Sequence, residues 1–121
     1  MKRRVPEREF WTIGEVCEQF GLKAHVLRYW ETQFPALKPP KSRAGSRLYR
    51  ARDLELIALI QRLVRDERYT LEGARQRIDE LEHEGAAADL ATQSLEHSFV
   101  RSLRGELEAI LDLLGPEPQA G

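Results

Sequence analysis

The sequence predicts a mainly α-helical fold: a helix-turn-helix, then a small β-hairpin, then a C-terminal helix that dimerises. Three observations predict it. Two short apolar stripes at helical spacing flank Gly21. A proline-rich, basic stretch from Leu37 to Tyr49 carries a turn sequence at Ala44-Gly45-Ser46. A seam of large apolar residues runs from Leu95 to Leu114.

The first helix begins at a capping box. Thr12 can accept from the amide three residues on, where Glu15 can reach back. Ile13, Val16, Cys17 and Phe20 follow at i, i+3, i+4, i+7, and Gly21 supplies the left-handed stop. A second helix fits Ala24 to Phe34, with Val26, Leu27, Trp30 and Phe34 on one face and His25, Arg28, Tyr29 and Thr32 on the other. Pro35 ends it by pushing its predecessor out of the α region. Two short helices joined around a glycine form a helix-turn-helix.

The flanks of the Ala44-Gly45-Ser46 turn are short, so the predicted hairpin must lean on the helices to persist. A longer helix is expected from Ala51 to Glu67, apolar on most sides and therefore central to the core. Thr70 is the N-cap of a fourth helix carrying Leu71, Ala74, Ile78 and Leu81. Residues 83–93 break the pattern and read as a linker, with partial helix as the alternative, and Ser94 reads as the cap of the last helix. Domain organisation follows: a flexible N-terminus over 1–9, a compact unit over 10–82, the linker, a dimerisation helix over 94–114, and a frayed tail over 115–121. On this reading a chain cut after Glu84 folds as a monomer.

A net charge of -1 conceals a strong asymmetry. Residues 23–52 hold eight basic side chains and one acidic, Glu31, a net +7. Residues 53–121 hold seven basic and fifteen acidic, a net -8. A basic stretch inside an otherwise acidic chain points to a polyanion contact, the alternative being an ordinary solvated surface.

Duplex DNA is read by a helix that fits the major groove, with cations holding the phosphates. Lys23, His25, Arg28 and Tyr29 sit at the start and on the polar side of the second helix. Lys38, Lys41, Arg43 and Arg47 sit on the hairpin, too many cations on so short an element to be core. Tyr49 reads either as a phosphate contact or as a core tyrosine. Trp30 and Cys17 lie on apolar stripes and read as core.

The last helix presents Leu95, Phe99, Leu103, Leu107, Ile110 and Leu114 as a seam. An isolated helix of that length is marginal in water, so the seam is expected to pair with a second copy; folding back on its own domain is the alternative.

Other classes find no support. The chain has no glycine-rich phosphate loop, HExxH helix or GxSxG elbow, so no catalytic residues are expected. One cysteine and three scattered histidines give no metal set, and no cofactor is expected. No apolar run spans a bilayer and no secretory signal is visible, which places the expected setting in the cytoplasm, associated with the nucleoid.

The residues resemble the MerR family of transcriptional regulators. Phe10-Trp11-Thr12-Ile13-Gly14-Glu15-Val16 is similar to its first-helix motif, and Val26-Leu27-Arg28-Tyr29-Trp30-Glu31 to its recognition-helix signature. Gly45-Ser46-Arg47-Leu48-Tyr49 is similar to its wing motif, with Ser46 where an aromatic is usual. Leu71-Glu72-Gly73-Ala74-Arg75 is similar to the start of its fourth helix. Lys23 stands in place of the usual Ser or Thr cap, and Phe34-Pro35 in place of the usual glycine.

The resemblance covers residues 10 to about 82. It implies a winged helix-turn-helix DNA-binding domain dimerised by an antiparallel coiled-coil helix, in a short form without an effector-binding domain. It also implies that Arg28 and Tyr29 contact DNA and that Arg47 grips phosphate. The expected function is a regulator that binds a pseudo-palindromic promoter operator as a homodimer and distorts it. Its expected partners are double-stranded DNA and itself, with RNA polymerase as a further candidate. The alternative is a non-enzymatic adaptor that binds a protein, such as polymerase or a recombination factor, with DNA contact secondary.

Overall fold

The computed structural model describes residues 9–114. The expected tail and most of the expected flexible N-terminus lie outside them. Five α-helices are present among the described residues: α1 (Ile13–Phe20), α2 (Ala24–Gln33), α3 (Ala51–Gln61), α4 (Leu71–Glu84) and α5 (Ala87–Leu114).

The local signals act as sequence chemistry dictates. The Glu15 amide donates to Thr12 Oγ1 at 3.2 Å while the Thr12 amide donates to Glu15 Oε1 at 2.9 Å, closing the capping box of α1. Gly21 ends that helix at φ 65, a conformation that costs a side-chain-bearing residue a clash with its own carbonyl. Leu27, Trp30 and Phe34 of the α2 segment are buried together with Leu37.

α3 occupies the centre. Leu54, Ile57, Ala58, Leu59 and Ile60 are all buried, so its apolar residues cover more than one stripe because neighbours cover more than one side. At its end Gln61 is buried and its Nε2 donates to the Phe20 carbonyl at 2.7 Å. That bond satisfies a carbonyl left open by the last turn of α1. α3 then widens into a π-helical turn, Arg62–Asp66, closed by the Glu67 amide on the Arg62 carbonyl at 3.0 Å. Arg68 follows at φ 59, without a glycine to absorb that conformation.

Of the expected hairpin the structure makes the turn and one bridge between its flanks, without regular strands. No β-strand occurs among the described residues; single antiparallel bridges join Lys41 to Arg47 and Trp11 to Tyr49. Pro39 and Pro40 have no amide to donate, so a ladder cannot extend along that flank. The turn is nonetheless made: Gly45, at φ 85, donates to the Ser42 carbonyl at 2.9 Å, and Leu48 donates to Pro40 at 2.8 Å. Tyr49 pairs instead with Trp11, each amide donating to the other's carbonyl at 2.8–2.9 Å. The segment before α1 is thus stitched to the exit of the basic loop.

The linker is mostly helical. Gly85 caps α4 at φ 74, but α5 begins at Ala87 and absorbs residues 87–93. Ala86-Ala87-Ala88 are the best helix formers, so only the glycine interrupts the helical path. Ser94 is no cap: it lies within α5 and its hydroxyl donates to the Leu90 carbonyl at 2.7 Å.

α5 packs chiefly along α3 and also meets α1 and α4. Ala91, Ser94, Leu95 and Ser98 face the body, and Arg101 pairs with Asp66 of the π turn at 3.2 Å. A cut after Glu84 would therefore strip one wall from the core rather than release a folded monomer. Leu95→Ala should lower the unfolding free energy by about 2–5 kcal/mol, the usual cost of a cavity at a buried leucine. Denaturant unfolding at fixed protein concentration measures it, and an unchanged midpoint would place Leu95 outside the core.

Candidate nucleic-acid interface

The helix-turn-helix presents its polar face as the sequence implied. Lys23, His25, Arg28 and Tyr29 are exposed, Tyr29 by 53%, whereas Trp30 between them and the core is buried. Lys23 is the N-cap of α2, and its side chain makes no capping bond because an ammonium has no acceptor. On the loop, Lys38, Lys41 and Arg43 are exposed, and none has a carboxylate partner among the described residues.

Two arginines of the basic stretch are occupied elsewhere. Arg50 grips the buried Asp53, Nε to Oδ2 at 2.9 Å and Nη2 to Oδ1 at 3.2 Å. It also donates from Nη2 to the Lys38 carbonyl at 3.1 Å. Asp53 in turn accepts the Arg50 amide at 2.9 Å, capping α3 through its third residue. This clamp joins the start of α3 to the start of the loop.

Arg47 is folded onto Glu31 of α2. Its Nε lies 2.9 Å from both carboxylate oxygens, and the Tyr49 hydroxyl donates to Glu31 Oε2 at 2.7 Å. Tyr49 is fully buried, so of the two roles open to it the core role holds, and it is not available to phosphate. Burial, then the bond and charge of Glu31, push its phenol above the ordinary range, which keeps it a proton donor at neutral pH.

Sequence reasoning placed Glu31 only as the lone acid in a basic stretch. That isolation was the signal: a single carboxylate among eight cations is the position where a cation can be held internally. Helix geometry sets Glu31 one turn beyond Arg28, so the loop it holds stands beside the exposed face of α2. Arg28, Lys41 and Arg43 are thus available, while Arg47 is committed at its Nε edge.

Cys17 is partly buried against the core, and burial raises its thiol, with Arg28 opposing. A thiol so held is not a reactive thiolate. His83 and His97 are exposed on α4 and α5, the former with its ring Nδ1 3.0 Å from the Asp79 carbonyl.

The seam of α5 divides. Leu95 is buried within its own chain and Phe99 is half-buried, so neither stands on the free face. Leu95 is taken up by its own core because α5 starts early and lays this half against α3. Leu103, Leu107, Ile110 and Leu114 are 54–77% exposed, and Val100 with them completes a 3-4-3-4 spacing. The opposite side carries Ser98, Ser102, Gly105 and Ala109, which face the end of α1 around Gln19 and Gly21. Small residues on the side of α1 and large apolar residues on the other give α5 two distinct faces. No helix among the described residues is long and apolar enough to cross a membrane.

Comparison with known proteins fits this arrangement. The profile of a family described as "MerR HTH family regulatory protein" matches residues 11–81. Among solved structures the chain is similar to HiNmlR, a MerR family regulator lacking the sensor domain, solved bound to promoter DNA. The two share 20% identity over 87% of this chain and 84% of that one, with a TM-score of 0.51. No curated protein matches the chain.

The uncapped start of α2 yields a test of the site's construction. Lys23→Thr should stabilise the fold by about 0.5–2 kcal/mol, the usual worth of a side-chain N-cap, while removing one exposed cation. A thermal scan reads it; a lowered midpoint would mean that Lys23 already serves the fold.

Proposed function

The chain belongs to the MerR family of helix-turn-helix regulatory proteins, and from that membership we propose that it binds a pseudo-palindromic operator in duplex DNA as a homodimer and distorts it to regulate transcription. The observation that carries this reading is the exposed cationic face of α2 beside the loop cations Lys41 and Arg43. In this reading Arg28 and Tyr29 enter the major groove, with Lys23 and His25 at the helix start. Lys41 and Arg43 track the flanking backbone. HiNmlR, solved on promoter DNA, supports the same use of the fold.

The partner chain is a second copy, seated on Val100, Leu103, Leu107, Ile110 and Leu114. Apolar residues at this spacing form a coiled-coil seam when a like helix supplies the holes. Charge favours the antiparallel arrangement. Arg101 and Arg104 lie at the start of the seam and Glu106, Glu108 and Asp112 toward its end. Reversal sets opposite charges together, whereas parallel pairing sets like against like. A two-fold dimer then presents two α2 helices to two half-sites.

Selection of bound fragments from a random duplex pool, at two salt concentrations, tests the reading. The expected result is an enriched inverted repeat whose binding weakens steeply with salt, because neutralised phosphates release counterions. No enrichment at either salt would overturn it in favour of an adaptor for a protein partner. On the enriched duplex, Arg28→Ala should cost about 1–3 kcal/mol of affinity with the fold unchanged, since Arg28 is exposed. The double variant Leu103→Lys, Leu107→Lys should sediment as a folded monomer and bind a full operator more weakly than the parent. A dimeric double variant would refute the seam.

A further inference from the structure

Resting on the DNA-binding reading, we propose that the Glu31 carboxylate is a positioning group that latches the 38–48 loop to α2, with Arg47 serving that latch rather than gripping phosphate. The loop cannot set its own angle. Pro39 and Pro40 donate nothing, and its two flanks are joined by one antiparallel bridge, made by Ser42 to Ser46 at 2.7 Å and Leu48 to Pro40 at 2.8 Å. Two short flanks of this kind are marginal without outside support.

Arg50 holds the entry of the loop through the Lys38 carbonyl at 3.1 Å; support for its exit comes from the side chains of Arg47 and Tyr49, alternate residues that project to the same side of an extended segment. Both end on Glu31. Tyr49 is immobile at its ring, being fully buried, and at its backbone, being bridged to Trp11 on both amides. Glu31 is carried rigidly by α2. Arg47 is then the one residue of the loop beyond Tyr49 whose guanidinium ties it to that fixed pair. The one Nε–H of its planar guanidinium is shared between both carboxylate oxygens at 2.9 Å, a charge-assisted contact that fixes direction as well as distance.

Electrostatics require the same pairing. Glu31 stands one helical turn from Arg28, on the side that faces phosphate in the DNA-binding reading. An unpaired carboxylate there would repel the backbone it approaches. Arg47 cancels that charge, and its side chain is correspondingly only 26% exposed. Lys38, Lys41 and Arg43 remain to face the duplex, and their reach depends on the latch.

Hydrogen exchange on the DNA-free protein is the first test. Glu31→Gln should speed exchange of the Leu48, Ser46 and Gly45 amides by about tenfold or more, leaving the amides of α3 as they are. Arg47→Lys keeps the charge but loses the planar edge and should behave alike, which guards against a Gln variant that does not fold. Tyr49→Phe leaves the ion pair and should change the loop amides much less. Unaltered loop exchange in both Glu31→Gln and Arg47→Lys would overturn the proposal.

The second test uses the duplex enriched from the random pool. If Arg47 acts through Glu31, the double variant Arg47→Ala, Glu31→Gln binds no more weakly than Arg47→Ala alone, and the salt slope is that of the parent. Losses that multiply, with a slope reduced by about one for Arg47→Ala, would make Arg47 a direct phosphate contact and overturn the latch. A parent protein that binds no duplex would sink the DNA-binding reading, with the latch still decided by exchange.

Discussion

Burial of α3 on more than one side is the constraint from which the rest of the architecture follows. A helix in which Leu54, Ile57, Leu59 and Ile60 are all hidden needs cover from several directions. The first half of α5 packs along it, the end of α1 is bonded to it through Gln61, and residues of α2 and α4 join the same buried cluster. That demand explains why α5 begins at Ala87, and why Leu95 turns inward although it reads as part of an exposed seam. It also explains the buried Gln61, whose amide tethers the last carbonyl of α1 to the centre. A buried amide tolerates its surroundings only when its donor is satisfied, so this bond fixes α1 against α3 as well as joining them.

Around that centre, carboxylates act as fasteners for the basic stretch. Asp53 ties Arg50 and, through it, the Lys38 carbonyl; Glu31 ties Arg47 and Tyr49. The two acids hold the two ends of one loop, one from α3 and one from α2. The loop that they frame leaves Lys38, Lys41 and Arg43 outward. A +7 segment thereby divides into cations that build the surface and cations that face out from it. Formal charge counts do not make that division; only the position of the acids does.

Much of this was legible in the residues. Thr12 with Glu15, Gly21, and the stripe of Leu27, Trp30 and Phe34 placed the helix-turn-helix, because capping and periodicity are local. The exposed set on α2 was legible for the same reason. What depended on distant partners was not. Tyr49 could be packed or exposed until Trp11 and Glu31 were brought to it, and the Leu37–Tyr49 segment read as paired strands because the sequence does not reveal that its exit pairs with Trp11. Residues 83–93 read as a break because Gly85 is a strong local stop, yet three alanines restart the helix as soon as α3 offers a surface. Division of the last seam into a buried half and an exposed half was illegible for the same reason, since leucines at 95 and 103 look alike until a neighbour covers one.

The continuity of α5 has a mechanical consequence. One unbroken helix both seals the core, through Ala91, Leu95 and Ser98, and carries the leucine face from Leu103 to Leu114. No joint lies between these two duties, so the azimuth of the outer face is set by helical phase. A single residue inserted after Ser98 would swing that face by about 100° around the axis and advance it by about 1.5 Å. Anything seated there would be carried to a different bearing with respect to α2, while the core contacts of Ala91, Leu95 and Ser98 stayed in place and the Arg101–Asp66 pair was lost. The length of α5, counted in residues, is therefore a goniometer for whatever its outer face engages.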